Sequence, residues 1–98
     1  MFCVATHYRT TPDNVDEAVR IFRERAVPLS ACHPGFRGLH LLVNKDGHLL
    51  AASCWETEEQ AMAWPKSREQ RKIVRLLRPL LIRRPRRSDY EVRVHVVA

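Results

Sequence analysis

Polar and apolar residues alternate at the start of the chain, between Phe2 and Arg9. Alternation with a period of two, in a segment rich in aromatic and β-branched residues, is typical of a β-strand. We therefore predict a first strand over this segment. One face of the strand would carry Phe2, Val4, Thr6 and Tyr8, and the other Cys3, Ala5, His7 and Arg9.

The apolar residues take helical spacing after Thr11. Thr11 can cap a helix N-terminus, and Pro12 suits the first helical position because its missing N–H needs no partner there. We predict a helix that continues to about Ala31, with a kink or restart at Pro28. Its apolar stripe consists of Val15, Ala18, Val19, Phe22 and Ala26.

Two further apolar segments, 36–43 and 48–55, are predicted to form a β-hairpin. Asp46-Gly47 lies between them and is a strong hairpin signal. A two-residue turn gives one register, and a three-residue turn would shift it. The two-residue register pairs Lys45 with His48, His40 with Ser53 and Gly38 with Trp55, and it leaves a more apolar face of Leu39, Leu41, Val43, Leu50, Ala52 and Cys54.

A second helical region is predicted directly after Trp55. Thr57 and Gln60 have the spacing of a capping box, and so do Ser67 and Gln70. Pro65 breaks the helix between them. The second part is expected to end at about Leu77, before Arg78-Pro79.

A last strand is predicted from Tyr90, because Val92, Val94 and Val96 then alternate with polar residues. The resulting order is βαββαβ. This order predicts an α+β, ferredoxin-like domain over residues 1–98, with two helices on one face of a four-stranded antiparallel sheet. The open face of the sheet carries apolar residues, so we expect a second copy of the chain to cover it in a homodimer.

The composition is that of a globular protein, with 45% hydrophobic and 29% charged residues among 98. No apolar segment is long enough to span a membrane, so no membrane partner is expected. Cys3, Cys32 and Cys54 lack metal-ligand spacing and are interpreted as free, buried thiols in a reducing cytoplasm. No metal site is predicted.

Positive charge is concentrated near the C-terminus, where ten of the 17 Lys and Arg residues fall in segment 66–87. Such a segment attracts anions. It is interpreted as a solvent-facing helix surface or as a site for a small anionic ligand at a pocket mouth. Nucleic acid is an unlikely main partner because the basic stripe lacks aromatic residues for base stacking. The stripe consists of Arg68, Arg71, Lys72, Arg75 and Arg78.

Three segments carry a resemblance to a known family. They are the opening strand 2–9, the sequence 33–38 (HPGFRG), and the sequence 55–59 (WETEE) with Ala61 and Trp64 downstream. Together they resemble the antibiotic biosynthesis monooxygenase superfamily of dimeric α+β barrel proteins, over residues 2–97. The resemblance implies a homodimer with a pocket between sheet and helices in each subunit.

The superfamily has a haem-degrading branch and a cofactor-free oxygenase branch. Trp64 matches the pocket tryptophan of the haem branch, but the position of its axial histidine falls on Val74. We therefore expect no cofactor. Resemblance to the cofactor-free branch implies oxidation of an aromatic or quinol-type substrate, although Thr6 stands where an asparagine is usual.

The candidate site follows from the resemblance and from side-chain chemistry. His7 and His40 are the proposed catalytic residues, since histidine readily exchanges protons near neutral pH. His33 and His48 flank turns and are predicted to be solvent-exposed. The alternative function is a non-catalytic small-ligand-binding or stress-related protein of the same fold. The predicted substrate-binding residues are Thr6, Tyr8, Phe22, Trp55 and Trp64.

Overall fold

The computed structural model describes all of residues 1–98 and contains one antiparallel sheet of four strands. Its order is β2-β3-β1-β4, with helices packed on one face. The predicted ferredoxin-like α+β fold is confirmed. The strands are β1 (Phe2–Arg9), β2 (Phe36–Val43), β3 (His48–Trp55) and β4 (Arg86–Glu91).

The first helical region runs without a break past Pro28. A 3-10 turn (Pro12–Asn14) leads into α1 (Val15–Ile21), a π-helical segment (Phe22–Ala26) and α2 (Val27–Ala31). The N–H of Val27 donates to the carbonyl of Phe22, five residues earlier. The wider turn lies where Pro28 cannot donate to the carbonyl four residues before it, so the helix absorbs the proline by widening.

The second helical region consists of α3 (Glu58–Ala63), a 3-10 turn (Trp64–Lys66) and α4 (Arg68–Leu77). The Thr57–Gln60 capping box is present in full. At Ser67 only half of the second box forms, because Ser67 Oγ accepts from the Gln70 N–H at 3.1 Å while the Gln70 side chain turns toward β1. None of the helices combines the length and apolar character needed to cross a membrane.

The hairpin has the three-residue turn, so the two-residue register is wrong by one position. The Asn44 N–H donates to the His48 carbonyl at 3.1 Å, and Gly47 adopts a φ of +92°. A left-handed third residue is the usual way to close a three-residue hairpin loop. The observed pairs are Val43–Leu49, Leu41–Ala51, His40–Ala52 and Gly38–Cys54, with a bulge between Phe36 and Gly38.

This register also corrects the predicted faces of the hairpin. Leu39, Leu41 and Val43 share the helix-facing side with the residues that pair with them on β3. Those partners alternate with Leu50, Ala52 and Cys54, which therefore lie on the open face of the sheet. The helix-facing residues of β3 are Leu49, Ala51, Ser53 and Trp55, all buried.

β4 begins four residues earlier than predicted and ends at Glu91, which pairs with Phe2. Since β1 begins at Phe2, the valines that follow Glu91 have no residues of β1 beside them with which to pair. The last backbone bond of this edge joins the Val92 N–H to the Met1 carbonyl at 2.9 Å. Val94 and Val96 are 83% and 85% exposed, so the predicted strand over these residues is wrong.

The core lies between the sheet and the helices and is centred on two tryptophans. The rings of Trp55 and Trp64 lie 5.1 Å apart, and His33 packs edge-on against both. The prediction that His33 is solvent-exposed is therefore wrong. The buried hydrophobic cluster contains Val4, Tyr8, Ala18, Phe22, Ala26, Leu49, Ala51, Trp55, Ala61, Trp64, Ile73 and Leu77.

Cys3 and Cys54 form a disulfide across β1 and β3, which corrects the prediction of three free thiols. The two residues pair directly, with Cα atoms 4.1 Å apart, on the open face of the sheet. Neighbouring strands therefore bring the thiols within bonding distance. Cys32 is free, but it is exposed and not buried as predicted. The cytoplasmic location was inferred from free thiols, so it loses that support and stays a prediction.

Candidate functional site

A small cavity of about 20 Å³ lies between the sheet and the helices. This volume is enough for one water-sized molecule. β1 and β3 form its floor, while the π-helical segment, the 3-10 turn at Trp64, and α4 close it from above. Its lining consists of Thr6, Tyr8, Phe22, Ala26, Ser30, Leu39, Ala51, Ser53, Trp64, Gln70 and Ile73.

Tyr8 places the most distinctive polar group in this cavity. Only 2% of Tyr8 is exposed, and its ring packs edge-on against Phe22. The Gln70 side-chain amide donates to the Tyr8 hydroxyl oxygen at 3.2 Å. Burial raises the pKa of Tyr8 to about 12, against the opposing effect of hydrogen bonds with Gln70 and Thr6. Tyr8 is therefore a neutral phenol at physiological pH, with a proton to donate.

A larger cleft of about 390 Å³ adjoins the cavity and shares Thr6 and Gln70 with it. Four arginines line the cleft and no acidic residue does, although Arg87 Nε lies 3.6 Å from Asp89 Oδ1 nearby. The cleft is therefore a region of positive potential that leads to the polar groups of the cavity. Its lining consists of Thr6, Pro65, Gln70, Arg71, Val74, Arg75, Arg78, Pro85 and Arg87.

The structure groups four of the five predicted substrate-binding residues. Thr6, Tyr8, Phe22 and Trp64 all line the inner cavity. Trp55 is fully buried and does not line it. Instead, Trp55 Nε1 donates to Ser53 Oγ at 3.0 Å, behind the cavity wall.

The two predicted catalytic histidines lie on the opposite face of the sheet from this cavity. His7 follows Thr6 and precedes Tyr8 on β1, so its side chain projects to the open face. His40 pairs with Ala52 on that same face and is exposed. His7 instead lies 3.1 Å from His48, measured from Nδ1 to Nε2, so His48 is not simply solvated as predicted.

Gln70 is the site residue that sequence reasoning missed. Its spacing from Ser67 is that of a capping box, and this role gave no reason to look for a second function of its side chain. In the structure the Gln70 backbone N–H makes the cap, and the side chain is free to reach Tyr8. The helical spacing of Arg71, Arg75 and Arg78 was visible in the sequence, but not that Arg87 joins them from β4.

The sequence of the chain matches a known protein family. Residues 1–76 match the family model described as antibiotic biosynthesis monooxygenase. The chain belongs to this family. No curated protein matches it.

Solved structures of similar fold agree with this assignment. A protein of unknown function from Nitrosomonas europaea superimposes with a TM-score of 0.82 at 12% identity, covering 99% of this chain and 93% of that one. A putative antibiotic biosynthesis monooxygenase from Bordetella bronchiseptica superimposes with a TM-score of 0.79 at 14% identity, covering 95% of this chain and 97% of that one. A mutant of SnoaB, a cofactor-independent oxygenase from Streptomyces nogalater, superimposes with a TM-score of 0.75 at 18% identity, covering 97% of this chain and 95% of that one. At these identities the likeness concerns the fold.

Proposed function

We propose that the protein is a cofactor-independent monooxygenase that oxidises a phenolic or quinol-type aromatic molecule. One observation carries this proposal: the buried, neutral Tyr8 hydroxyl, held by Gln70, lies where an arginine-lined cleft meets an apolar cavity. Membership of the monooxygenase family supports the reaction class. The named fold relative SnoaB, a cofactor-independent oxygenase, supports the absence of a cofactor.

The sizes of the two spaces suggest where each reactant binds. The inner cavity, at about 20 Å³, is too small for an aromatic ring, whereas the cleft has about 390 Å³. The ring would therefore occupy the cleft, with its oxygen directed at Thr6 and Gln70. Dioxygen would occupy the apolar cavity beside Tyr8. This arrangement would hold the two reactants in the orientation that the reaction requires.

The arginines would favour the reactive form of the substrate. A cationic group close to a phenol favours the phenolate and lowers the phenol pKa. Arg71, Arg75 and Arg78 supply this charge without an ion-pair partner, whereas the charge of Arg87 is partly offset by Asp89. The phenolate of an electron-rich substrate, such as an anthrone or a naphthoquinol, can reduce dioxygen directly, so the substrate itself supplies the electrons.

The reaction then balances without an added reductant. The substrate loses two hydrogens. Both come from a ring CH₂ carbon or, in the phenol tautomer, one comes from that carbon and one from the hydroxyl. That carbon takes one oxygen atom as a carbonyl, and the other oxygen atom leaves as water. The Tyr8 hydroxyl would donate a hydrogen bond to the reduced dioxygen as negative charge develops there. His7 and His40 have no role in this scheme, because they face the opposite side of the sheet.

We also propose that two copies assemble through the open sheet face. Leu42 and Tyr90 are 56% and 57% exposed on this face, and Leu50 and Ala52 lie between them. Apolar residues grouped on a flat sheet favour a self-complementary contact. Light scattering would then give twice the chain mass of 11.4 kDa. Leu42→Glu would shift the protein to the monomer, whereas Val27→Glu, an exposed change on the helix side, would not.

Oxygen consumption tests the proposed activity. The purified protein would be mixed with a panel of naphthoquinols and anthrones, and the initial rate compared with that of the substrate alone. The proposal predicts a protein-dependent rate for at least one compound. It also predicts that Arg75→Gln raises the KM for an ionisable compound more than it lowers kcat, because this residue acts on the anion in the cleft.

The alternative is a protein that binds such compounds without converting them. The absence of any carboxylate or histidine from the cavity lining favours it, since no group there is an ordinary proton acceptor. Trp64 lines the cavity, so binding would quench tryptophan fluorescence. Saturable quenching without protein-dependent oxygen consumption would support this alternative against the oxygenase.

A further inference from the structure

The arginine-lined cleft lies on the helix side of the sheet, away from the proposed contact between two copies. On β4, Arg87 pairs with Thr6, which lines the inner cavity, so both side chains project toward the helices. Leu42 and Tyr90, through which two copies are proposed to assemble, project to the opposite face. A dimer formed through that face therefore leaves the cleft open to a ligand.

The cleft has an inner end and an outer end. At the outer end it continues into a wider space of about 680 Å³. Val74, Arg78 and Pro85 line both the cleft and this wider space. Thr6 and Gln70 line the cleft and the inner cavity but not the wider space. The inner end of the cleft is therefore at Thr6 and Gln70, and the outer end is at Arg78.

The positive charge of the cleft is spread from one end to the other. Arg71, Arg75 and Arg78 follow one another at helical spacing along α4. The backbone of Arg78 lies about 12 Å from that of Gln70 along the helix axis, at a rise of about 1.5 Å per residue. The three arginines are exposed, and none forms an ion pair within the chain. A phenolate oxygen beside Gln70 would therefore leave the charge at the outer end without a counter-ion.

Apolar groups lie between the two ends of the cleft. Pro65, Val74 and Pro85 contribute them, and they suit the faces of a fused aromatic ring system. A ring system resting against these groups, with its reacting oxygen at the inner end, would place a substituent of its far edge beside Arg75 and Arg78. Guanidinium groups bind carboxylates and phosphates through two parallel hydrogen bonds.

We propose that the substrate is an anionic aromatic compound, a phenol or quinol whose ring system carries a carboxylate or phosphate group at the end remote from the reacting oxygen. Arg75 and Arg78 bind this group at the outer end of the cleft, while Thr6 and Gln70 hold the reacting oxygen at the inner end. The position of the reacting oxygen rests on the proposed oxygenase function. The fixed negative charge is additional to the phenolate and does not depend on the redox state of the ligand.

Calorimetric titration of the whole protein at constant ionic strength tests this proposal with redox-inert ligands, so that no turnover is needed. The probes are naphthoate, naphthyl phosphate and the neutral naphthamide, which share one ring system. We expect both anions to bind at one site per chain, at least about tenfold more tightly than the amide. The tighter of the two anions identifies the group, carboxylate or phosphate, that the substrate carries.

Two variants locate the site of the charge effect. Arg78→Gln should weaken the binding of both anions at least about fivefold and leave the affinity for the amide within about twofold. Arg25→Gln is the matched control, because Arg25 is also exposed and forms no ion pair but does not line the cleft. It should leave all three affinities unchanged. Equal weakening of the anions by both substitutions would overturn the proposal, since that pattern reflects net charge alone.

The outcomes separate this inference from the oxygenase proposal. Protein-dependent oxygen consumption together with equal affinity for the three ligands would overturn the inference and leave the oxygenase proposal intact. Tighter binding of the anions, lost in Arg78→Gln, without oxygen consumption by any compound would overturn the oxygenase proposal and keep the preference for an anionic aromatic ligand.

Discussion

Gln70 donates a hydrogen bond from its side-chain amide to the hydroxyl of Tyr8 at 3.2 Å, across 62 residues of sequence. This bond joins α4 to β1 at the point where the arginine-lined cleft meets the inner cavity. It holds the Tyr8 hydroxyl in place and occupies one of its acceptor positions, and the neutral phenol keeps its own proton. A buried donor held in place in this way is suited to stabilise negative charge on a reacting oxygen.

The raised pKa of Tyr8 gives the folded protein a dependence on alkaline pH. Burial favours the neutral phenol, so the folded state keeps this proton up to a pKa of about 12 while the unfolded chain loses it near 10.0. The stabilising contribution is complete below pH 10 and is lost as pH rises toward 12, by about 3 kcal/mol at most.

Absorbance of ionised tyrosine measures this directly. The difference between the titrations of the wild-type protein and Tyr8→Phe should have its midpoint near pH 12. Tyr90→Phe, at an exposed position, is the matched control for removal of one hydroxyl. A midpoint near 10 in the Tyr8 difference curve would show that this hydroxyl is solvated.

Gly47 fixes the end of the β2–β3 hairpin against β1. Its φ is +92°, and a Cβ atom there would lie 2.1 Å from the Thr10 carbonyl oxygen. Gly47→Ala should therefore lower the free energy of unfolding by about 2 kcal/mol or more, from the left-handed backbone and the steric overlap together.

Gly38→Ala is the control within the same hairpin. A Cβ atom at Gly38 would meet no other atom within 4 Å, and its φ is not positive. The change should alter the unfolding free energy by less than about 1 kcal/mol. Urea unfolding of both variants measures the difference. Equal destabilisation would contradict the observed turn.

The Cys3–Cys54 disulfide closes a loop of 51 residues in the unfolded chain. Loss of this constraint should lower the unfolding free energy by about 2–4 kcal/mol in the Cys3→Ala/Cys54→Ala variant. Under non-reducing conditions one thiol per chain, that of the exposed Cys32, should react with a thiol reagent. Three reactive thiols in the denatured, unreduced protein would show that the disulfide is absent.

Ser53 provides the only hydrogen bond of the buried Trp55 indole, from Nε1 to Oγ at 3.0 Å. Ser53→Ala would leave the indole N–H without a partner in the core, at a cost of about 1–3 kcal/mol. Ser88→Ala on the open face removes a hydroxyl that makes no hydrogen bond and should be nearly neutral. A similar melting temperature for both variants would argue against a structural role for this bond.

The sequence was sufficient for the elements whose signals are local. Alternation predicted β1, and the Thr57–Gln60 box predicted the start of α3 correctly. The hairpin register could not be predicted from the sequence, because the choice between two turn lengths depends on how Gly47 packs against Thr10. The last strand was misplaced for a related reason: its position is set by where β1 begins, and the alternating valines beyond Glu91 have no partner.

The candidate site also contains residues that the sequence predicted and residues that it did not. Thr6, Tyr8, Phe22 and Trp64 were predicted from the family resemblance and do line one cavity. Gln70 was not found, since its capping spacing already explained it, and its side chain acts on a residue distant in sequence. Both histidines chosen for proton transfer lie across the sheet, because the side that β1 presents to the helices is decided by packing.

Isotope labelling tests the central claim, that the site beside Tyr8 inserts oxygen into an aromatic substrate. With ¹⁸O₂ and the best compound of the panel, the product should gain one labelled oxygen atom per turnover. Tyr8→Phe should lower kcat by about 10²–10³ through loss of its hydrogen bond to the reduced oxygen, with Tyr90→Phe unchanged. Product labelled from water instead of dioxygen, or an unaltered kcat in Tyr8→Phe, would contradict the account.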